Sequence, residues 1–171
     1  MPTEAEPTEA APDTEEVSDA EVVSDAEVLA RYPTTTIDQD NKEFYKGWLR
    51  RRLLFNRCAA CGHWHHPPAP LCPQCWSTDV VPTEVSGRGT VHLLIRLYQG
   101  PPAPGVDYTK GPYPVVAVEL AEQTGLRFTS TVVHCPPEEL RIGLPVALAW
   151  IDRAGAPFPV FEPATDKTGQ R

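Results

Sequence analysis

No stretch of the 171 residues approaches the roughly 20-residue apolar run of a membrane span. The N-terminus lacks the basic and apolar regions of a secretory signal. We therefore expect a cytoplasmic protein whose thiols stay reduced, which removes a disulfide framework. The chain has no Gly-rich phosphate loop, no nucleophile elbow and no paired acid/base motif, and so little from which to build an enzyme. Lys, Arg and aromatic residues are missing from residues 1–30, where ten of the 23 acids fall. Rich in Glu, Ala, Pro and Thr, that stretch cannot bury enough apolar surface to offset its ordering entropy. It reads as an acidic disordered leader, either a plain unstructured extension or an arm that solubilises the chain or docks on a partner. Its end repeats a hexamer, VSDAEVVSDAEV, after which a short helix can begin. Without the leader the net charge of -8 disappears, because 13 acids face 15 bases in residues 31–171.

Four of the five cysteines sit in FNRCAACGHWHHPPAPLCPQCWSTD, residues 55–79, as the pairs Cys58/Cys61 and Cys72/Cys75. A tight turn within each C-x-x-C pair lets two sulfurs converge, and the ten residues between the pairs can fold back as a hairpin. Four thiolates suit a tetrahedral Zn2+ and leave no open position for a water molecule. The zinc is expected to be structural, replacing a core too small for the segment to make. A tetrathiolate iron site is chemically possible, whereas a thioredoxin-type redox motif needs a βαβ setting that is missing. With coordination complete, His63, His65 and His66 are expected as exposed hairpin residues. Cys135 stands alone and reads as a small, partly buried side chain.

Upstream, Asp38 or Asp40 can cap a helix starting near Asn41. Phe44, Tyr45, Trp48 and Leu49 share one face of it, which serves either as core or as an anchor for a partner. Arg50, Arg51 and Arg52 form a basic cluster fit for phosphate or carboxylate. Downstream, residues 89–99, 114–120, 126–133, 145–153 and 159–163 read as strands, with one helical turn in PPEELRIG. The expected fold is mainly β: an N-terminal helix plus zinc ribbon followed by a small five-stranded OB-type barrel, a small sandwich being the alternative. The divisions are a leader (1–30), an aromatic and basic helical segment (31–54), the ribbon (55–82), the OB fold (83–163) and a tail (164–171). The Pro-rich connection of residues 99–114 is long enough to be a lid or a partner contact, with Tyr108, Lys110 and Tyr113 at its tip.

This order of parts carries a resemblance. EFYKGWLRRRLL, CAACGHWHHPPAPLCPQC, STDVVPTEVSGRGTVHLLIRLY, YPVVAVEL and LRIGLPVALAW follow one another over residues 40–163. The arrangement resembles the acyl-CoA-associated OB-fold family with a rubredoxin-like zinc ribbon. The ribbon followed by VSGRGTV and LRIGLPV is more specific than the cysteines alone, and the leader lies outside the family pattern. The resemblance implies a non-catalytic partner of thiolase-superfamily enzymes: thiolases, hydroxymethylglutaryl-CoA synthases, acyltransferases or lipid-transfer-protein-like aldolases of steroid side-chain degradation. In some relatives the module is fused to a MaoC-like hydratase. Catalytic residues would then lie in the partner, with acyl-CoA at the interface. Phe44, Tyr45 and Trp48 would anchor the complex, and Arg50, Arg51, Arg52, Tyr108, Lys110 and Tyr113 would contact CoA or the partner. A single-stranded nucleic-acid-binding module is the competing reading, disfavoured by the neutral body and acidic leader.

Overall fold

The computed structural model of the protein describes residues 23–99 and 106–165; most of the leader, the middle of the Pro-rich connection and most of the tail lie outside them. The first element is helix α1 (Asp25–Arg31). Ser24 caps it by accepting a hydrogen bond from the Glu27 amide at 3.2 Å, the Ser-x-x-Glu pattern of a capping box. Val23 and Val28 are buried, and Asp25 pairs with Lys46 at 2.6 Å and Lys42 at 3.3 Å. The expected leader boundary at residue 30 is thereby corrected: the second VSDAEV hexamer belongs to the packed body. Tyr32 is buried as well and its hydroxyl donates to the Pro157 carbonyl at 2.8 Å.

Helix α2 (Lys42–Leu49) follows a turn in which Asp38 Oδ1 accepts from the amides of Asp40 and Asn41. Gly47 is required at its C-terminal end, because a Cβ there would lie 2.7 Å from the Arg52 carbonyl oxygen. Strands β1 (Leu54–Cys58), β2 (Trp64–His65) and β3 (Val80–Glu84) form an antiparallel sheet in the order β2-β1-β3. This is the ribbon.

The barrel comprises β4 (Arg88–Leu97), β5 (Tyr113–Leu120), β6 (Arg127–Ser130), β7 (Pro145–Arg153) and β8 (Ala156–Pro163), in the order β6-β5-β4-β7-β8. All neighbours in this order are antiparallel. Beyond β6 the chain swings onto β8, where Val132 and Phe161 make a parallel bridge. The sheet thus curls into a half-barrel whose two edge strands approach each other at this bridge. The interior holds Val91, Val116, Val118, Phe128, Val146 and Phe161. The glycines of VSGRGTV are dictated by crowding: a Cβ on Gly89 would lie 2.5 Å from Val118 Cγ1, and Gly87 adopts φ +74 against Leu148.

Candidate metal centre

Each cysteine pair lies on a knuckle of the same construction. In the first, the Gly62 amide donates to the Cys58 carbonyl at 2.8 Å and the Cys58 amide to the His63 carbonyl at 2.9 Å. In the second, the Trp76 amide donates to the Cys72 carbonyl and the Cys72 amide to the Ser77 carbonyl, both at 2.9 Å. These bonds turn the sulfurs of each pair to one side. Cys58 and Cys75 Sγ are 3.6 Å apart, as are Cys61 and Cys72 Sγ, and all four sulfurs lie within 4.8 Å of one another. A tetrahedron with metal–sulfur bonds of about 2.3 Å has edges of roughly 3.8 Å, so the set has the size and donor chemistry of a zinc site. No pair is a disulfide.

The thiols resist joint ionisation. Burial would raise Cys58, but the amides of Cys61 and Ala60 and the Cys75 sulfur bring it down to about 7. The Ser77 amide favours the Cys75 thiolate, yet the other three sulfurs and burial push it up to about 12. A cation among them removes that conflict, which is why metal binding and local folding are coupled in such sites.

The histidines are not exposed hairpin residues, contrary to the expectation from sequence. His65 is buried, and His66 stacks on Phe55 with ring centroids 4.3 Å apart and planes 10° apart. Their place is structural: Phe44, Phe55, His66 and Phe128 join α2, the ribbon and the barrel in one aromatic cluster. The reading of Phe44 and Trp48 as free partner anchors is corrected by the same packing. Both are buried, and Trp48 meets Phe128 and Phe158 of the barrel edge-on. Tyr45 alone of the three is half-buried, at a cleft of about 480 Å³ between α2 and the barrel. The ribbon is also clamped directly: the Trp64 amide donates to Gln123 Oε1 at 2.9 Å, and Gln123 Nε2 donates back to the Trp64 carbonyl at 3.0 Å. No sequence signal marked Gln123.

The other contact residues are dispersed. Arg51 pairs with Asp152 at 3.2 Å and Arg52 with Glu84 at 2.8 Å, which leaves Arg50 without an ion pair among the described residues. Tyr113 accepts a hydrogen bond from Arg153 at 2.7 Å. Asp152 and Arg153 are consecutive on β7 and point to opposite faces, so Arg51 and Tyr113 do not share a pocket. Tyr108 and Lys110 lie in a 3-10 turn, Lys110 exposed and Tyr108 half-buried. Cys135 is half-buried as expected, beside Arg96, Lys110 and Leu140.

A closed tetrathiolate ribbon locked by an aromatic cluster onto a small β-barrel defines a zinc-ribbon and OB-fold protein whose metal is structural. Two family models cover that architecture in order: "ChsH2, rubredoxin-like zinc ribbon domain" over residues 46–81 and "ChsH2, C-terminal OB-fold domain" over residues 82–151. The chain belongs to this ChsH2, or DUF35, family. The solved "Ltp2-ChsH2(DUF35) aldolase" contains a chain 38% identical to this one, with a TM-score of 0.67 over 77% of this chain and 99% of that chain. Among curated relatives, the "Probable enoyl-CoA hydratase alpha subunit" of Thermomonospora curvata is 38% identical over 77% of this chain. A "DUF35 domain-containing scaffold protein" of Methanocaldococcus jannaschii is 34% identical over 55% of it. The "3-oxo-4,17-pregnadiene-20-carboxyl-CoA hydratase alpha subunit" of Mycobacterium tuberculosis is 32% identical over 67% of it. The chain spans 40%, 64% and 34% of the lengths of these three relatives.

Proposed function

We infer that the protein is a non-catalytic accessory subunit that assembles with, and supports, a thiolase-superfamily enzyme acting on acyl-CoA. An aldolase of steroid side-chain degradation is our preferred partner. The observation that carries this reading is the saturated metal set: four converging sulfurs give zinc a scaffold role and deny it an open catalytic position. Cys58, Cys61, Cys72 and Cys75 are the ligands in this reading. The name of the solved relative pairs such a chain with an aldolase, other relatives are called scaffold proteins, and one acts on a steroid-type CoA ester. Arg50, and Lys110 beside Asp107 at 3.9 Å, are exposed cations for CoA phosphates or partner acids, and Tyr45 is the anchor residue with an accessible face. We place the protein in the reducing cytoplasm, where the thiols stay free for zinc. The nucleic-acid reading has less support, because two arginines of the basic cluster are already paired with acids of the same chain.

The test is to purify the chain with and without the thiolase-fold aldolase of its host. Alone it should show no aldol cleavage or condensation of an acyl-CoA. Together the two should co-elute as a stoichiometric complex in which the aldolase is active. Turnover by the isolated chain, or an aldolase indifferent to its presence, would falsify the reading.

A further inference from the structure

The two zinc knuckles share the same pair of amide-to-carbonyl bonds but differ in the residue that follows the second cysteine. The residue after the second cysteine of each pair adopts a left-handed backbone: Gly62 at φ +76 in the first and Trp76 at φ +62 in the second. Glycine enters that region without steric cost, whereas a bulky side chain there is strained. Strain of this kind persists where the surrounding structure imposes it, as the knuckle bonds do here, and it gathers at functional sites. No contact of the indole among the described residues accounts for it. The Trp76 side chain is 75% exposed, makes no hydrogen bond and stacks on no aromatic ring among the described residues. Leu71, on the other flank of the same knuckle, is 42% exposed, and Pro70 and Pro73 beside it are exposed too. An apolar tip is thus displayed on a loop held by zinc ligands at both Cys72 and Cys75. Such a loop has little freedom left to lose on binding, and tryptophan on a preorganised support is the residue in which binding energy concentrates.

We propose that Trp76, flanked by Leu71, inserts into an apolar pocket on the thiolase-superfamily partner, so that the second knuckle is a docking point of the complex. This deepens the accessory-subunit reading and rests on it. The charge pattern favours a protein pocket over a nucleic acid: residues 69–87 contain no Lys or Arg, and of the arginines on and just before the paired strand of the ribbon, Arg52 is held by Glu84 and Arg57 lies over the Trp64 ring. A base-stacking tryptophan would need cations nearby to hold the phosphates.

The experiment compares the full-length protein with Trp76→Gly and Trp76→Asn, two residues that tolerate the left-handed backbone. Zinc content, thermal midpoint and affinity for the host's thiolase-fold aldolase are measured, together with gel shifts on an oligothymidine. Both variants should keep one zinc and an equal or higher midpoint, while their affinity for the aldolase falls more than tenfold. Wild-type affinity in both variants would overturn the proposal and leave the accessory role standing. Loss of zinc or a lower midpoint would overturn it by showing that the indole supports the ribbon. A self-association or an oligothymidine shift that vanishes with Trp76 would overturn it in favour of a copy of this chain or a nucleic acid. If the wild type does not bind the aldolase, the accessory-subunit reading fails, and this proposal falls with it.

Discussion

Burial sets the chemistry of His66. Its place against Phe55 and Phe128 pushes its pKa down to about 4, with a smaller contribution from His65. Unfolding returns the imidazole to an ordinary value near 6.5, so the unfolded chain takes up the proton first as the pH falls. The stabilisation is fully present above pH about 6.5 and is lost progressively as the pH drops towards 4. By pH 5 the loss should be about 2 kcal/mol. His66→Phe keeps a stacking ring and removes the titration. Urea unfolding in saturating zinc should show the wild type losing that stability between pH 7.5 and pH 5, with the variant losing distinctly less. Equal losses would mean that the imidazole is solvated. A sequence reader meets this residue as a polar side chain beside zinc ligands and places it at the surface. The aromatic wall that buries it comes from Phe128, 62 residues further along.

At the level of elements, α1 is the case where composition misleads. Over 30 residues the leader is acidic and without aromatics, and that average conceals two valines that both reach the core. A cut after residue 25 looks harmless from composition, but it removes Val23 and the Ser24 cap. The expected cost is about 2.5–4 kcal/mol, from roughly 1 for the cap and 1.5–3 for the buried valine. Thermal unfolding of the truncated chain checks this, and an unchanged midpoint would show that α1 is not held. The ribbon and the five barrel strands were legible because their signals are local: fixed cysteine spacing, alternating apolar residues and glycine-marked turns. The aromatic stripe of α2 was legible too, but its purpose was not. Periodicity shows that Phe44 and Trp48 share a face, whereas their cover, Phe128 and Phe158, arrives from strands about 80–110 residues away. The partner of Arg51 was hidden for the same reason, since the acid that holds it lies 101 residues along the chain.

Over the whole molecule, ribbon and barrel share one core. Phe55 of the ribbon lies 5.8 Å, centroid to centroid, from Phe128 of the barrel, and Gln123 of the β5–β6 turn holds the Trp64 backbone from both sides. Removing the zinc should therefore unfold more than the ribbon. Calorimetry of the holo protein should show one cooperative transition, and a strong chelator should move that transition down as a unit. A barrel transition that ignores the chelator would show two independent modules. The docked hexamer also makes the chain tolerant of changes in length just ahead of α1. Residues 17–22 and 23–28 are both VSDAEV, so losing either copy leaves the identical chain, TEEVSDAEVLARYP, across the junction. A cap serine, a pairing aspartate and two burying valines stand in front of Leu29 in every case. The chain can therefore lose one hexamer, or gain another, without changing the sequence that α1 presents to the core.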